Sequence, residues 1–281
     1  MRQIVAGKIA DTVCQMCISA NYYIDPQVIE CIEKARKSET SPLGKKILEM
    51  MLENYRLAAE KQMPICQDTG VAVVFAEVGQ DVKILGGTLE EAINDGIRRG
   101  YKEGFLRKSM VADPLFDRKN TTDNTPAIIH LRLVAGNSLK LIVAPKGGGS
   151  ENMSTIAMMK PADGVEGVTD FVLKTVKNAG GNPCPPIIVG VGIGGNFEQC
   201  ALLAKRALLR PLNDVHPDES YGNLEKELLE KINQLNVGPQ GFGGKTTALA
   251  VKIEHMPCHI ASLPVAVNIQ CHVHRHLEKT L

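Results

Sequence analysis

The 281-residue chain is 44% hydrophobic and 22% charged, with a formal net charge of +1, a composition typical of globular proteins. Its basic residues form no long block, which argues against nucleic acid as a main partner. No run approaches about 18 apolar residues, so no membrane span is predicted. Residues 1–8 lack the apolar segment of a secretory signal, and we therefore expect a cytoplasmic protein.

Helical signals dominate residues 1–62. Asp25-Pro26 and Ser41-Pro42 each combine an N-cap residue with a proline at the first helical position, so a helix is predicted after each pair. Cys14 and Cys17 have CxxC spacing but lie inside a helical apolar pattern. Because free cysteine in such a pattern packs as a small hydrophobe, we interpret this pair as core residues.

The remaining sequence alternates between strand and helix patterns. A strand is predicted over residues 71–78, and a helix runs from Thr88 to about Gly100. Residues 127–134 and 139–144 flank a four-residue turn signal, which predicts a β-hairpin. Further strands are predicted over 187–191, 246–253 and 260–269, and further helices over 167–179, 196–209 and 224–235. The sequence thus predicts a mixed α/β fold in a single domain (residues 1–281), with a helical N-terminal segment of about residues 1–62 and a mixed α/β body.

Two glycine-rich motifs partly match the sequence templates of nucleotide-binding sites. Gly190 to Gly195 fits GxGxxG between a strand and a helix, but a loop stands where a second strand should end in an acidic residue. We interpret it as a tight turn that leads into a helix. Gly243-Gly244-Lys245-Thr246 looks like the end of a P-loop, but Pro239 stands where the template requires its first glycine. Neither motif therefore predicts a nucleotide-binding protein.

Three of the eight cysteines lie at rigid turns and not on apolar helical faces. They are Cys66 in a Pro-Ile-Cys-Gln-Asp-Thr-Gly turn, Cys184 in an Asn-Pro-Cys-Pro-Pro turn, and Cys271 before a histidine-rich tail. Three thiolates on stiff backbone suit an iron–sulfur cluster better than a disulfide or a four-ligand zinc site. Four cysteines normally hold a 4Fe–4S cluster for electron transfer. With three, one iron keeps an open position and acts as a Lewis acid.

Zinc is the alternative metal. Cys258-His259 and Cys271-His272 could together supply four ligands, but two Cys-His pairs at this separation do not match common zinc spacings. His272, His274 and His276 alternate along the chain and would share one face of a strand without facing a closed tetrahedral site. The cluster is therefore favoured over zinc.

Four motifs, taken in order, resemble the class I fumarase and L-tartrate dehydratase family over nearly the whole chain. They are Cys66-Gln67-Asp68-Thr69-Gly70, Lys146-Gly147-Gly148-Gly149-Ser150, Cys184-Pro185-Pro186 and Gly243-Gly244-Lys245. Single-chain members of the family continue into a second, smaller domain, whereas this chain ends at Leu281. It is therefore similar to the α subunit of the two-subunit form. The resemblance implies a hydro-lyase that needs a β subunit, in an α2β2-type heteromer.

The resemblance also implies a set of site residues. Three positions match the ligands of a 4Fe–4S cluster with one open iron: Cys66, Cys184 and Cys271. Five positions match substrate-binding residues, with Arg107 as the carboxylate anchor and Gly149 as a backbone contact: Gln67, Asp68, Arg107, Lys146 and Gly149. His259 and Asp68 are the catalytic candidates. Gln270 and the tail over residues 272–276 depart from the single-chain members.

The implied reaction is the reversible conversion of (S)-malate into fumarate and water. L(+)-tartrate dehydration is the alternative, because both substrates need two carboxylate anchors and no residue in the sequence decides between them. An alternative of a different class is a structural metal-binding subunit without chemistry of its own. The base that removes the carbon-bound proton is expected on the β subunit.

Overall fold

The structure is a computed structural model that describes all residues from Met1 to Leu281. It has the mixed α/β fold that the sequence predicts. The helices are α1 (Ala6–Tyr22), α2 (Pro26–Ser38), α3 (Pro42–Lys61), α4 (Leu89–Glu103), α5 (Gly148–Glu151), α6 (Gly164–Ala179), α7 (Phe197–Ala207) and α8 (Glu219–Gln234). The strands are β1 (Arg2–Val5), β2 (Val71–Gly79), β3 (Val82–Leu85), β4 (Ile128–Val134), β5 (Leu139–Lys146), β6 (Thr155–Met159), β7 (Ile187–Gly195), β8 (Ala248–Cys258), β9 (Leu263–Gln270) and β10 (Leu277–Thr280). No helix is both long enough and apolar enough to cross a membrane.

Helix starts follow the capping signals of the sequence. The Asp25 side chain accepts a hydrogen bond from the backbone N–H of Gln27 and caps α2. The Ser41 hydroxyl accepts the N–H of Gly44 and caps α3. Thr88 forms a capping box at the start of α4. Each cap satisfies a backbone donor that the first helical turn leaves without a partner, so the predicted starts of these helices are confirmed.

The chain divides into two compact units, each assembled from separated stretches. Unit 1 contains residues 1–24, 54–148 and 275–281, and unit 2 contains residues 25–53 and 149–274. The predicted helical segment over residues 1–62 is therefore divided between the two units. Helix α1 belongs to unit 1, α2 belongs to unit 2, and the unit boundary falls inside α3.

Unit 1 is built on a four-stranded sheet with the order β10-β5-β2-β4, beside a parallel pair of β1 and β3. Helices α1 and α4 contribute to the same apolar core as this sheet, which includes Val13, Ile97, Tyr101 and Leu141. These side chains lie on the apolar faces of two amphipathic helices and on the buried face of the sheet. The strand β2 lies at the centre of the sheet, directly after the turn that carries Cys66.

The β-hairpin predicted over residues 127–144 is wrong. Both strands form, but β2 lies between them: it pairs with β4 in parallel and with β5 in antiparallel orientation. The connecting turn bonds to the end of β2, since Gly79 N–H donates to Ser138 O and Asp81 N–H donates to Gly136 O. The predicted turn is therefore present, but it connects two strands that are separated in the sheet by β2.

Unit 2 is built on a second four-stranded sheet with the order β6-β9-β7-β8. Strand β7 runs parallel to β8 and antiparallel to β9. The start of β7, the start of β8 and the end of β9 therefore lie at one edge of the sheet. Strand β9 begins later than predicted because residues 259–262 form a turn, in which Ser262 N–H donates to His259 O at 2.9 Å.

The GxGxxG motif of unit 2 allows close packing. A Cβ atom added at Gly190 would overlap the carbonyl oxygen of Ala204, and one added at Gly192 would overlap that of Cys200. Helix α7 thus lies directly on β7, and glycine is the residue that permits this approach. Gly194 and Gly195 have positive φ angles of 93° and 68° and turn the chain into α7. The interpretation as a structural turn is confirmed, with helix packing as an additional role.

Candidate active site

In unit 1, Asp68 organises the turn that follows Cys66. Its Oδ1 accepts the backbone N–H of Gly70 at 3.0 Å, and its Oδ2 accepts the N–H of Gly148 at 2.8 Å. Strand pairing brings the same two segments together, because Val71 at the start of β2 lies opposite Lys146 at the end of β5. The CQDTG motif and the first three residues of the KGGGS motif, which are far apart in sequence, therefore meet at one edge of the unit 1 sheet.

Arg107 lies beside the same turn. The Thr69 hydroxyl donates to the carbonyl of Arg107 at 3.0 Å and fixes its backbone, while its side chain is exposed. Tyr101 stabilises the turn from the protein interior. Its buried hydroxyl group lies within hydrogen-bond distance, 2.9 Å, of the carbonyl oxygens of both Thr69 and Gly70. Unit 1 thus assembles four of the predicted substrate-binding residues near one turn: Gln67, Asp68, Arg107 and Lys146.

Arg275 is a residue of this region that the sequence analysis missed. Its side chain is buried, with 4% of the residue exposed. It donates to the carbonyl of Asp68 at 2.5 Å and to Asn21 Oδ1 at 2.9 Å, and Nε faces Pro145 O at 3.4 Å. A buried guanidinium needs several hydrogen-bond partners, and here those partners hold the backbone around Asp68. An arginine inside a histidine-rich run gives no sequence signal for this role.

In unit 2, the sheet edge described above carries two of the three predicted cluster ligands. Cys184 stands three residues before β7, and Cys271 directly follows β9. The register pairs Ile188 with Gln270, which brings the two turns together. The N–H of His272 lies 3.5 Å from the carbonyl oxygen of Cys184. Cys184 has a positive φ of 56° and an exposed side chain.

Gly149 is found at this same edge. It belongs to the short helix α5 that precedes β6, and the start of β6 pairs with Val267, three residues before the end of β9. A Cβ added at Gly149 would lie 3.8 Å from the carbonyl oxygen of Asn182, in the turn that carries Cys184. Unit 2 therefore brings Gly149, Cys184 and Cys271 to one place.

His259 lies at the opposite end of the unit 2 sheet. It follows β8, whose last residue Cys258 pairs with Gly195 at the far end of β7. Eight residue steps along β7 correspond to roughly 26 Å. The imidazole is exposed, and its Nδ1 accepts the N–H of Ala261. Within one chain, His259 is therefore not brought to Cys184 and Cys271.

The distance between the two ends of the unit 2 sheet also excludes a zinc site formed by the two Cys-His pairs of one chain. Cys258 and His259 lie at one end of the sheet and Cys271 and His272 at the other, so these four side chains cannot surround one ion. Residues 272–276 form no strand. No group of three or more His, Cys, Asp or Glu side chains has an arrangement suited to a metal ion.

The eight cysteines differ in their environment. Cys14, Cys17 and Cys200 are buried on helices, as the helical pattern predicts for the CxxC pair. Burial raises the pKa of Cys14 to about 11, helped by the nearby carboxylate of Glu103, and also raises the pKa values of Cys17, Cys31 and Cys200. Cys66 and Cys271 are half-buried and Cys184 is exposed, all three on turns. Cys66 belongs to unit 1, and the other two belong to unit 2.

Comparison with known proteins identifies the family of this chain. The family model described as fumarate hydratase (fumerase) matches residues 10–280. A Methanocaldococcus jannaschii protein, assigned provisionally as L(+)-tartrate dehydratase subunit alpha, is 44% identical over 284 residues, with 98% of each chain covered. The L(+)-tartrate dehydratase subunit alpha of Escherichia coli is 31% identical over 278 residues, covering 98% of this chain and 91% of its own. The chain therefore belongs to the fumarate hydratase family of hydro-lyases and is of the type that its relatives name as subunit alpha.

Proposed function

We propose that this chain is the α subunit of a fumarate hydratase that interconverts (S)-malate and fumarate plus water. The observation that carries the proposal is the turn around Asp68, where one sheet edge gathers an exposed arginine, a buried lysine, a carboxylate and an amide side chain. A small dicarboxylate with a hydroxyl group needs this combination of cationic and hydrogen-bonding groups.

Cys66, Cys184 and Cys271 are proposed to hold a 4Fe–4S cluster. The thiolate is the form that binds metal, and turn positions leave these three side chains accessible, whereas burial keeps the helical cysteines protonated. When bound, a cluster held by three cysteines supplies an iron with an open position, which acts as a Lewis acid toward the hydroxyl group that leaves.

The chain's own side chains are proposed to bind and orient the substrate. Arg107 can clamp one carboxylate with two parallel hydrogen bonds, since its guanidinium forms no ion pair in the structure. Lys146 adds a second positive charge, the N–H of Gly149 donates a further hydrogen bond, and the Gln67 amide lies beside Cys66, with Sγ 3.5 Å from Oε1. These contacts would fix the carbon atom that loses its hydroxyl group.

Asp68 is the proposed group that gives a proton to the hydroxyl group as it leaves as water, and that takes a proton from water in the reverse reaction. Two backbone N–H groups hold its carboxylate in one orientation, as a general acid or base requires. His259 is the second proposed catalytic residue. Because it lies at the far end of the sheet within one chain, it would serve the site of another copy in the α2β2-type heteromer. The base that removes the carbon-bound proton is assigned to a β subunit. A second subunit of this kind is suggested by the relatives' names, which call them subunit alpha.

Tartrate dehydration is the second candidate, favoured by the names of both relatives described above. The test is an anaerobic assay of the reconstituted chain together with its β subunit, offering malate and L(+)-tartrate separately. We expect a higher kcat/KM for malate. A higher value for tartrate would assign the second activity, and no turnover of either by a complex with full iron content would favour a purely structural metal-binding subunit.

A further inference from the structure

Glu39 is a buried carboxylate in unit 2 that no proposed chemistry uses. It lies on the link between α2 and α3, and only 1% of the residue is exposed. Its Oε1 accepts the backbone N–H groups of Thr40 and Ser41 at 2.8 and 3.0 Å. Its Oε2 accepts those of Lys245 and Thr246 at 2.9 and 3.1 Å. Two of its donors thus come from a turn about 200 residues further along the chain.

The turn that supplies the N–H groups of Lys245 and Thr246 is the Gly243-Gly244-Lys245-Thr246 motif, which looks like part of a phosphate-binding loop. Successive backbone N–H groups of such turns form a concave anion site. Here the anion is part of the protein, because the Glu39 carboxylate occupies that position. Gly244 permits the contact: its φ is 126°, and a Cβ there would lie 2.9 Å from both carboxylate oxygens.

This turn lies at the sheet edge that carries Cys184 and Cys271. Lys245 stands three residues before β8, as Cys184 stands three residues before β7, and the register pairs Ile187 with Ala248. The N–H of Gln240 donates to Pro185 O at 2.8 Å, and its side-chain amide donates to the same oxygen at 3.2 Å. Gly181 and Gly241 pack so closely that a Cβ on Gly241 would lie 2.7 Å from the Cα of Gly181.

From these contacts we infer that Glu39 is a positioning residue of the hydro-lyase site. Its carboxylate fills the anion site of the Gly243–Thr246 turn, holds the loop over residues 238–247, and through Gln240 holds the turn that presents Cys184. The inference rests on the proposed function, since Cys184 acts in the site only if it binds the cluster.

The test compares three variants of the full chain with its β subunit, reconstituted anaerobically with iron and sulfide. Glu39→Ala empties the anion site, and Glu39→Gln fills it with an amide that has one oxygen fewer to accept N–H groups. Glu225→Gln is the matched control, because Glu225 is also buried in unit 2 and accepts the N–H of Ile253 at 2.7 Å, in the middle of β8. Iron per chain and the rate of iron loss to a chelator are measured with and without formate.

We expect Glu39→Ala and Glu39→Gln to lose iron roughly tenfold faster than the wild type, since each loses charge-assisted hydrogen bonds. Formate should slow the loss from Glu39→Ala in a dose-dependent way, whereas chloride at the same ionic strength should not. Formate should not help Glu39→Gln, whose amide still fills the site. Glu225→Gln should lose iron at the wild-type rate whatever its thermal stability.

The inference is overturned if Glu39→Ala retains iron as the wild type does, or if formate leaves its iron loss unchanged. A wild-type chain that takes up no cluster would refute the proposed function instead. The melting temperature of the metal-free chain gives a second readout: formate should raise that of Glu39→Ala and leave those of the wild type and Glu39→Gln unchanged. If Glu39→Ala does not fold, Gly244→Ala disrupts the same contact from the other side and should also speed iron loss.

Discussion

Arg275 donates a hydrogen bond from Nη2 to the backbone carbonyl of Asp68 at 2.5 Å, across 207 residues of sequence. The bond joins the last stretch of unit 1 to the turn that carries Cys66. The acceptors of this buried guanidinium are the carbonyls of Asp68 and Pro145 and the amide oxygen of Asn21. The fork geometry of arginine lets one side chain fix three separate segments of unit 1.

Replacing Arg275 by lysine should therefore destabilise unit 1. The ammonium keeps the charge but cannot reach all of these acceptors, so we expect the free energy of unfolding of the metal-free chain to fall by about 1.5–3 kcal/mol. Urea denaturation measures this. Arg132→Lys, at an arginine with 62% of its side chain exposed, is the control and should change stability by less than about 0.5 kcal/mol. Equal effects of the two changes would contradict the role of Arg275.

Cys184 and Cys258 form a matched pair for testing the cluster ligands. Both are exposed cysteines of unit 2, but they lie at opposite ends of its sheet. After anaerobic reconstitution, Cys184→Ser should lose most bound iron and the absorbance near 400 nm, whereas Cys258→Ser should retain both. A Cys184→Ser protein with full iron content would remove this residue from the ligand set.

Arg107→Lys should lower kcat/KM and leave the cluster intact. The substitution retains the positive charge and loses the bidentate fork, which is worth about 1.5–3 kcal/mol, or roughly a 10- to 100-fold decrease. Initial rates with malate, normalised to iron content, give the measurement. Unchanged kinetics in Arg107→Lys would show that the substrate carboxylate binds elsewhere.

Gly192→Ala tests whether the GxGxxG motif serves packing. The new methyl group would overlap the Cys200 carbonyl and push α7 away from β7, and overpacking of this kind costs about 1–3 kcal/mol of stability. Gly7→Ala is the control, because a Cβ at Gly7 meets no atom within 4 Å and alanine suits a helix. Thermal denaturation should show a lower melting temperature for Gly192→Ala alone. An unaffected Gly192→Ala protein would mean that α7 is loosely packed.

The contact between Glu39 and the Gly243–Thr246 turn should depend on pH. Burial alone would raise the pKa of Glu39, but backbone N–H groups from Ser41, Lys245, Thr40 and Thr246 together lower it below its usual value. The stabilisation is therefore present above the unfolded pKa of about 4.3 and is lost as the pH falls through the lower folded value.

The difference in unfolding free energy between the wild type and Glu39→Gln should accordingly be constant near neutral pH and should shrink at acidic pH. Urea denaturation between pH 3 and pH 7 measures it. A difference that grows as the pH falls would show that the carboxylate is not held in its ionised form.

Sequence patterns predicted those features that depend on neighbouring residues. The N-caps Asp25, Ser41 and Thr88 act within their own helical turn, so their helices could be placed from the sequence. Strand order could not be predicted in this way. The turn between β4 and β5 has a hairpin signal, but the position of β2 between them depends on pairing with residues more than 50 positions away.

The candidate site shows the same division. Gln67, Asp68 and Cys66 stand in one short motif and could be singled out by it. Arg275 and Glu39 could not, because their partners lie 207 and 206 residues away and the neighbouring residues in sequence give no signal of these contacts. Their roles are set by long-range packing, which a single sequence does not display.

The composite construction of unit 1 has a consequence for its synthesis on the ribosome. Strand β10 pairs with β5, Leu277 opposite Val143 and Thr280 opposite Lys140, and Arg275 reaches back to Asp68. All of unit 2 from residue 149 onward must emerge before these contacts form, which takes on the order of ten seconds at usual elongation rates. The contact between Arg275 and the turn that carries Cys66 therefore forms only after the segment bearing Cys184 has been made.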